Sequence, residues 1–492
     1  MLKKLLGLLS DAAIYGLSGL LTQLIGFLLL PLYTHYLTPA EMGTVRMVII
    51  VTSLFGPLAN LGMVNAIFRR FNLDKERLAR GQILSTGLVS VSLTSLVLLI
   101  VLVPCAPWLS QLAVGNVDAA SLIRLNLLTG AATSLGSVPL AILRADRHVK
   151  TTAMTNVARV LLSVCCTIWL VVIRRDGVWG VVVGTLVGEG TATLFLFGIV
   201  FRAFCAPPSL AVWRRLAAYG LPMLPHQIQG MAMALLPQYS VGPLLGLGEA
   251  GLYDMATKLT LPIFLVVNSV QGAWLAYKFQ IHAEDDDPAT FFRTAVTYYV
   301  AGVMYLWVGV SLWGPELIWL MTEKNYHPAA LLVPICGLIP VAQGIYFMMG
   351  TGLELSENTL PYPLVTFAGL VAAVASIYTF VPPLGATGAA ISSINSFLVL
   401  TIVIYYFSQR RFRIHYDWPA LLSFIGLAVG VVVLARQAIN LPTIERVGLS
   451  IIISLAFPAV EFAVLSRSST ERHRMQYLWD KLRRKRSSAF DG

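Results

Sequence analysis

The chain has 492 residues, 57% of them hydrophobic and only 12% charged, with a mean hydropathy of +0.75. A soluble fold of this length could not cover so much apolar surface, so the bilayer is the solvent. The formal charge of +11 is spread over short basic patches between apolar runs, which is the footprint of cytoplasmic loops rather than of a nucleic-acid surface.

The first ten residues, MLKKLLGLLS, carry two lysines among leucines. Asp11 interrupts the apolar run and no small-residue cleavage site follows, so 1–10 is expected to be a retained interfacial segment. A membrane span needs about 20 mostly apolar residues. Fourteen segments qualify, at 11–37, 44–68, 83–107, 119–143, 151–173, 178–201, 219–243, 251–276, 294–313, 330–353, 361–381, 389–408, 419–435 and 447–465. The expected fold is all-α and polytopic. An even number of spans puts both termini on one side. With the termini inside, the inner segments hold 26 of the 35 Lys and Arg and the outer segments hold 5, so both termini are expected in the cytoplasm.

The segment 11–47 returns at 219–255. Tyr15-Gly16 matches Tyr219-Gly220, and Pro31 and Tyr33 match Pro237 and Tyr239. Leu37, Glu41, Gly43 and Met47 match Leu245, Glu249, Gly251 and Met255 at a constant shift of 208. The shift persists downstream, where Gly177-Val-Trp-Gly180 falls on Gly385-Ala-Thr-Gly388, and Asp146 and Thr151 fall on Glu354 and Thr359. A duplication in a membrane chain predicts two six-helix lobes, 11–201 and 219–408, with the working site between them. A cytoplasmic linker, 202–218, would join them. Because six is even, the repeats share direction and relate by an axis along the membrane normal. The last two spans, 419–465, lie outside the duplication. In the tail, 466–492, Met475, Leu478, Trp479 and Leu482 form one helical stripe among seven basic residues, which suits anionic lipid as a partner; a frayed basic tail fits the same residues.

The sequence lacks GxxxxGK[ST], HExxH, GxSxG and paired CxxC motifs. Cys105, Cys165, Cys166, Cys205 and Cys336 lie in or beside apolar segments and read as packing residues, and no metal site is expected. Glu284 to Asp287 could imitate a metal-binding carboxylate cluster, but no other loop offers catalytic partners, so it reads as a solvated acidic loop. The largest outer loop, 313–329, has an apolar middle expected to rest at the interface.

A charge within a span costs a few kcal/mol and usually faces a partner or a wet cavity. Arg46, Arg124, Arg159 and Lys258 are the basic candidates for cargo contact, and Glu189, Asp254 and more weakly Glu461 are the acids. Arg46 and Asp254 occupy matching positions of the two repeats, so they could pair as an outer gate. Alternatively, each side chain snorkels separately and Asp254 pairs with Lys258 four residues on. Arg159 and Glu189 lie near mid-depth on neighbouring spans, as a static pair or, for Arg159, as a contact to an anionic cargo; Glu189 is also a candidate coupling acid. Gln23, Gln227, Gln229, Gln238, Asn268 and Gln271 are uncharged polar candidates for a cavity lining, and the last five concentrate on the seventh and eighth spans, as sugar hydroxyls would require. Pro31, Pro222, Pro225, Pro237 and Pro262 are expected to bend these helices.

The stretch Pro31-Leu-Tyr-Thr-His-Tyr-Leu-Thr-Pro-Ala-Glu-Met-Gly43 resembles the first outer turn of the Wzx-type flippases, within the multidrug/oligosaccharidyl-lipid/polysaccharide (MOP) exporter superfamily. The two GxxG turns and the second copy around Glu249-Ala-Gly251 fit that resemblance, which extends over nearly the whole chain in span count and duplication. It implies a V-shaped, MATE-like pair of lobes with the first, second, seventh and eighth spans around a cationic cavity. Undecaprenyl-pyrophosphate-linked glycan would be the cargo, moved by alternating access across a bacterial inner membrane for O-antigen, capsule or exopolysaccharide synthesis. The resemblance also implies coupling to an H+ or Na+ gradient, and polysaccharide polymerase or export proteins as partners. The basic pair of lipid II flippases is missing from the first span, which has only Asp11 near its inner end. A drug/cation antiporter of the same fold is the alternative within this class and would want deep acids in the first lobe. A membrane glycosyltransferase or polymerase is the alternative outside it. The leading expectation is a transporter without covalent chemistry.

Overall fold

The computed structural model describes residues 19, 21–73, 76–146, 148–203, 206–284, 287–356, 361–437 and 443–467. The segment expected at the interface, 1–10, and the tail beyond Arg467 lie outside the described residues, as do Asp285 and Asp286 of the Glu284–Asp287 loop. Among the described residues the secondary structure is helical, with no strands. Among the described residues ten helices are long and apolar enough to cross a bilayer, or eleven if Leu247–Leu259 and Leu261–Phe279 count as one span. The helix Tyr362–Arg411 contains two expected spans, divided at Gly385. The first and seventh expected spans are helical over 21–28 with Leu30–Tyr36, and over Leu224–Leu245. A helix therefore stands at each expected position of an all-α polytopic fold.

The boundaries differ where tertiary packing overrides hydropathy. The second span is broken into Pro39–Thr52, Phe55–Asn60 and Met63–Leu73. Its second break is a left-handed pair, Leu61 and Gly62, with φ of 46° and 69°. Gly62 is required there, because the carbonyl of Gly220 occupies the place of a side chain. The ninth helix, Pro288–Met321, runs on through most of the expected outer loop, held by the wholly buried Ile318, and Lys324–Leu331 follows as a 3-10 segment. The expected linker is helical over Leu210–Gly220. It docks through Leu216 and Ala217 onto Phe71, Leu84 and Ile142, and the Trp213 indole donates to Ser90 Oγ at 3.1 Å.

The duplication is written into the backbone. Gly177 and Gly385 both have positive φ, 56° and 60°. In each copy the second glycine of the GxxG turn lets the new helix start against the end of the previous one: Gly180 lies on Leu170 and Val171, and Gly388 on Phe380 and Val381.

Contacts divide the chain into two compact units. One comprises Met1–Lys258, Ile318–Leu332 and Tyr362–Leu400; the other comprises Leu259–Leu317, Val333–Pro361 and Thr401–Gly492. In the first, a core built on Ile67, Phe71, Leu84, Ile142, Val200 and Leu216 ties five helices together. In the second, Phe424 packs with Ala301, Ala420 and Leu465, and the Trp307 indole donates to the Pro334 carbonyl at 2.7 Å.

Candidate functional site

The site grows from the start of the helix Pro39–Thr52. Thr38 caps it: its hydroxyl accepts the Glu41 N–H at 3.3 Å, and the Glu41 carboxylate accepts the Thr38 N–H at 2.8 Å. This reciprocal cap is worth about 1 kcal/mol and fixes where the helix begins. Fixing the start fixes the register, so Gly43 falls where the helix meets its repeat partner. A Cβ on Gly43 would collide with the Leu247 carbonyl, and a Cβ on Gly251 would collide with the Pro39 carbonyl. Since Pro39 and Gly43 match Leu247 and Gly251 at the shift of 208, the contact is pseudo-symmetric. Small residues at a helix crossing allow this backbone approach.

Three residues further along each helix, on the same face, stand Arg46 and Asp254. Arg46 Nε lies 3.3 Å from Asp254 Oδ1, and Lys258 Nζ lies 2.8 Å from Asp254 Oδ2. Arg46 also donates to the Gln238 side-chain carbonyl. The Asp254 side chain is 7% exposed, against 27% for Arg46 and 32% for Lys258. A carboxylate this buried is tolerated because two cations face it, which leaves the cluster with one net positive charge. Both pairings considered from the sequence, Arg46 with Asp254 and Lys258 with Asp254, are therefore present together.

Further contacts join the repeats at the same end of this unit. The buried Tyr326 hydroxyl donates to the Leu37 carbonyl at 2.8 Å, and His35 Nδ1 lies 2.9 Å from Glu323 Oε1 at the exposed rim. Tyr239 donates to the Leu112 carbonyl at 2.7 Å. Burial raises the Tyr326 phenol pKa, and the charges of Glu41 and Asp254 raise it further, so this hydroxyl stays a donor.

The other expected residues are placed separately. Arg159 meets Glu189 at 2.6 Å as a pair between adjacent helices, with Arg159 Nε buried and without a hydrogen-bond partner among the described residues. Arg124 is exposed. Gln23 is half-buried, and its Oε1 has no hydrogen-bond partner among the described residues. Gln229 accepts from the Thr366 hydroxyl at 2.8 Å, and Gln227 is half-buried. Asn268, exposed, and Gln271, half-buried, belong to the other compact unit. Pro31 and Pro225 sit in the first turns of their helices, Pro222 lies in a 3-10 turn, and Pro262 follows the break at Thr260.

Tyr326 and the glycine contact were not singled out from sequence. The shift of 208 between Gly43 and Gly251 was the available signal for the contact. Lys278, which falls in the inner segment between the expected spans 251–276 and 294–313, is instead a wholly buried side chain in the helix Leu261–Glu284. It pairs with Glu354 and lies 5.2 Å and 5.6 Å from the rings of Phe279 and Phe347. A loop assignment by hydropathy failed there because the acid that compensates the lysine is 76 residues away in sequence.

The family described as polysaccharide biosynthesis protein matches residues 8–282, more than half of the chain. No curated protein matches it by sequence. Among solved structures, the chain is similar to the lipid II flippase MurJ in an inward closed conformation, with 12% identity and a TM-score of 0.72, covering 93% of this chain and 100% of that one. It is similar to an inward-facing multidrug resistance MATE transporter of the MOP superfamily at 17% identity and a TM-score of 0.67, covering 79% and 94%. A MOP superfamily transporter from Pyrococcus furiosus aligns at 18% identity and a TM-score of 0.59, covering 81% and 94%. These likenesses establish the fold.

Proposed function

The chain belongs to the polysaccharide biosynthesis protein family, and from that premise we propose that it is a Wzx-type flippase of the MOP superfamily. Its cargo is undecaprenyl-pyrophosphate-linked oligosaccharide, moved by alternating access across a bacterial inner membrane for assembly of a surface polysaccharide. The observation that supports this reading most is the Arg46–Asp254–Lys258 cluster at the glycine contact of the two repeats.

The cluster has the chemistry of an anion-operated latch. Asp254 holds Arg46 and Lys258 together while the contact is closed. A pyrophosphate carries more negative charge than one carboxylate and competes for the same cations, so its arrival weakens the hold of Asp254 on Arg46. Breaking a partly buried ion pair costs on the order of 3 kcal/mol, and only a cargo with its own anionic group offsets that cost. In this reading the glycine contact is the outer closure, both termini lie in the cytoplasm, an H+ or Na+ gradient drives the cycle, and no covalent step occurs.

Deletion of the gene in its own host tests the assignment. Full-length lipid-linked oligosaccharide should accumulate in the inner membrane and surface polysaccharide should disappear. Plasmid-borne wild type should restore both, and Asp254→Asn should restore neither fully. Normal surface polysaccharide in the deletion strain, with increased sensitivity to cationic drugs, would instead establish a drug antiporter.

A further inference from the structure

The second compact unit carries a basic cavity that the latch does not use. The helix Tyr362–Arg411 ends at Phe412, whose backbone is extended, and the chain turns sharply before the helix Trp418–Gln437. Gln409 clamps that turn from both sides: its amide donates to the Ile414 carbonyl at 2.8 Å and its carbonyl accepts the Ile414 N–H at 3.0 Å. With Ile414 and Tyr416 buried as anchors, the alternate residues Arg411, Arg413 and His415 are left exposed. Together with Arg410 they line a cavity of about 930 Å³, and no acid stands among the described residues of its lining. The nearest carboxylate in sequence, Asp417, is engaged with Arg293 at 3.2 Å and with the Ala420 N–H at 3.3 Å.

Three features show what this cavity is shaped to hold. Arg410 stacks on Tyr406, 4.3 Å from its ring centroid, which fixes the guanidinium plane and leaves its N–H edges for a ligand. Tyr416 is 7% exposed and lines the cavity, and its hydroxyl is buried without a hydrogen-bond partner among the described residues. Tyr405, Tyr416 and Trp418 form an aromatic wall with ring centroids 5.5 to 6.3 Å apart, and the exposed Ile402 continues the lining away from the arginines. Charge at one end, amphipathic rings in the middle and an aliphatic residue at the other is the sequence of environments from headgroup to acyl chain.

We propose that this cavity binds the phosphate of an anionic phospholipid headgroup, with Arg410, Arg411 and Arg413 as its cationic contacts and Tyr416 as a neutral donor. Free phosphate would satisfy the arginines but has no use for the aromatic wall or for Ile402. The site stands on the membrane-spanning fold and is independent of which cargo the protein carries.

The test uses full-length protein in nanodiscs of pure phosphatidylcholine or of phosphatidylcholine with phosphatidylglycerol, and the purified protein in detergent titrated with phosphatidylglycerol or with inorganic phosphate. Native mass spectrometry should show a saturable phosphatidylglycerol adduct. The triple variant R410Q/R411Q/R413Q should weaken it by about tenfold or more, whereas R144Q/K150Q/R175Q, which removes three exposed bases elsewhere, should leave it within about twofold. In the wild type, amide exchange over 409–416 should slow in the phosphatidylglycerol discs relative to pure phosphatidylcholine, a readout that needs no variant. Equal weakening by the two triple variants, or unchanged exchange, overturns the proposal. Binding of inorganic phosphate as tight as that of phosphatidylglycerol overturns the lipid assignment.

Discussion

Gly43 and Gly251, 208 residues apart, let their helices meet so closely that the Leu247 carbonyl takes the place of a side chain on Gly43 and the Pro39 carbonyl that of a side chain on Gly251. The first prediction follows from that contact. Gly43→Val places branched carbons against the Leu247 carbonyl and should cost the closed arrangement about 1–3 kcal/mol through overpacking. Spin labels at positions 35 and 323, whose native side chains meet at the exposed rim, read the outcome in a cysteine-free background. The short-distance population should shrink in the valine variant and persist in Gly43→Ser less fully than in wild type. An unchanged distance distribution would show that the glycine contact does not hold this end shut.

The ion-pair latch predicts a pattern among charge variants. Arg46→Asp faces Asp254 with a like charge, and Asp254→Arg faces both Arg46 and Lys258, so each alone should impair transport strongly. The double swap should recover part of the loss, limited by Lys258 four residues from the new arginine. Inverting all three charges, with Lys258→Glu, should recover more. The coupling energy from the cycle should be about 1–3 kcal/mol. A double swap no better than either single change would count against pairing across the repeats.

Burial makes Lys278 and Glu354 a sharp stability probe. Lys278→Met removes the cation paired with the Glu354 carboxylate and should cost about 3–5 kcal/mol. Lys278→Met with Glu354→Leu removes both charges and should regain most of that. Thermal unfolding in one detergent separates the cases. Equal destabilisation by the single and double changes would mean that the side-chain shapes, and not the charges, matter.

Tyr326 supplies the pH dependence. Its phenol pKa is raised by burial and by the nearby Glu41 and Asp254 charges. The folded state then holds this proton more tightly than the unfolded chain, so the contribution is fully present below the ordinary phenol pKa of 10.0. It is lost as pH rises from there through the higher folded value. At pH 7 Tyr326→Phe should be less stable than wild type by about 1 kcal/mol, the hydrogen bond to Leu37. By pH 11 that gap should narrow, because only the wild type has a phenol at position 326 whose ionisation favours the unfolded chain. A gap constant from pH 7 to pH 11 would refute the assignment.

The twin turns give a symmetric prediction. Gly177 and Gly385 share a left-handed φ, so Gly177→Ala and Gly385→Ala should each lower stability by about 1–2 kcal/mol. Unfolding midpoints that move for one turn and not for the other would argue that the copies have diverged in structure.

Much of this was legible because bilayers impose coarse rules. Hydropathy located the helices, since a spanning segment must bury its own backbone groups. A constant shift of 208 links Gly43 to Gly251 and Arg46 to Asp254 in the sequence itself. What hydropathy could not show was compensation from a distance. Lys278 looks like a loop residue until Glu354 stands beside it, and Gln238 looks like a sugar contact until it accepts from Arg46. The ninth helix overran its expected end because Ile318 is buried by tertiary packing, which no local window contains. Arg159 and Glu189 were legible as a pair, and so they stand.

The most direct measurement of the central claim is translocation itself. Purified protein in proteoliposomes should carry undecaprenyl-pyrophosphate oligosaccharide, labelled on its sugar, from one leaflet to the other, followed by quenching from outside. Wild type should move the labelled lipid well above protein-free vesicles, and the Asp254→Arg variant should fall close to that background. Equal rates with and without the protein, in vesicles where it is folded and a gradient is imposed, would contradict the account.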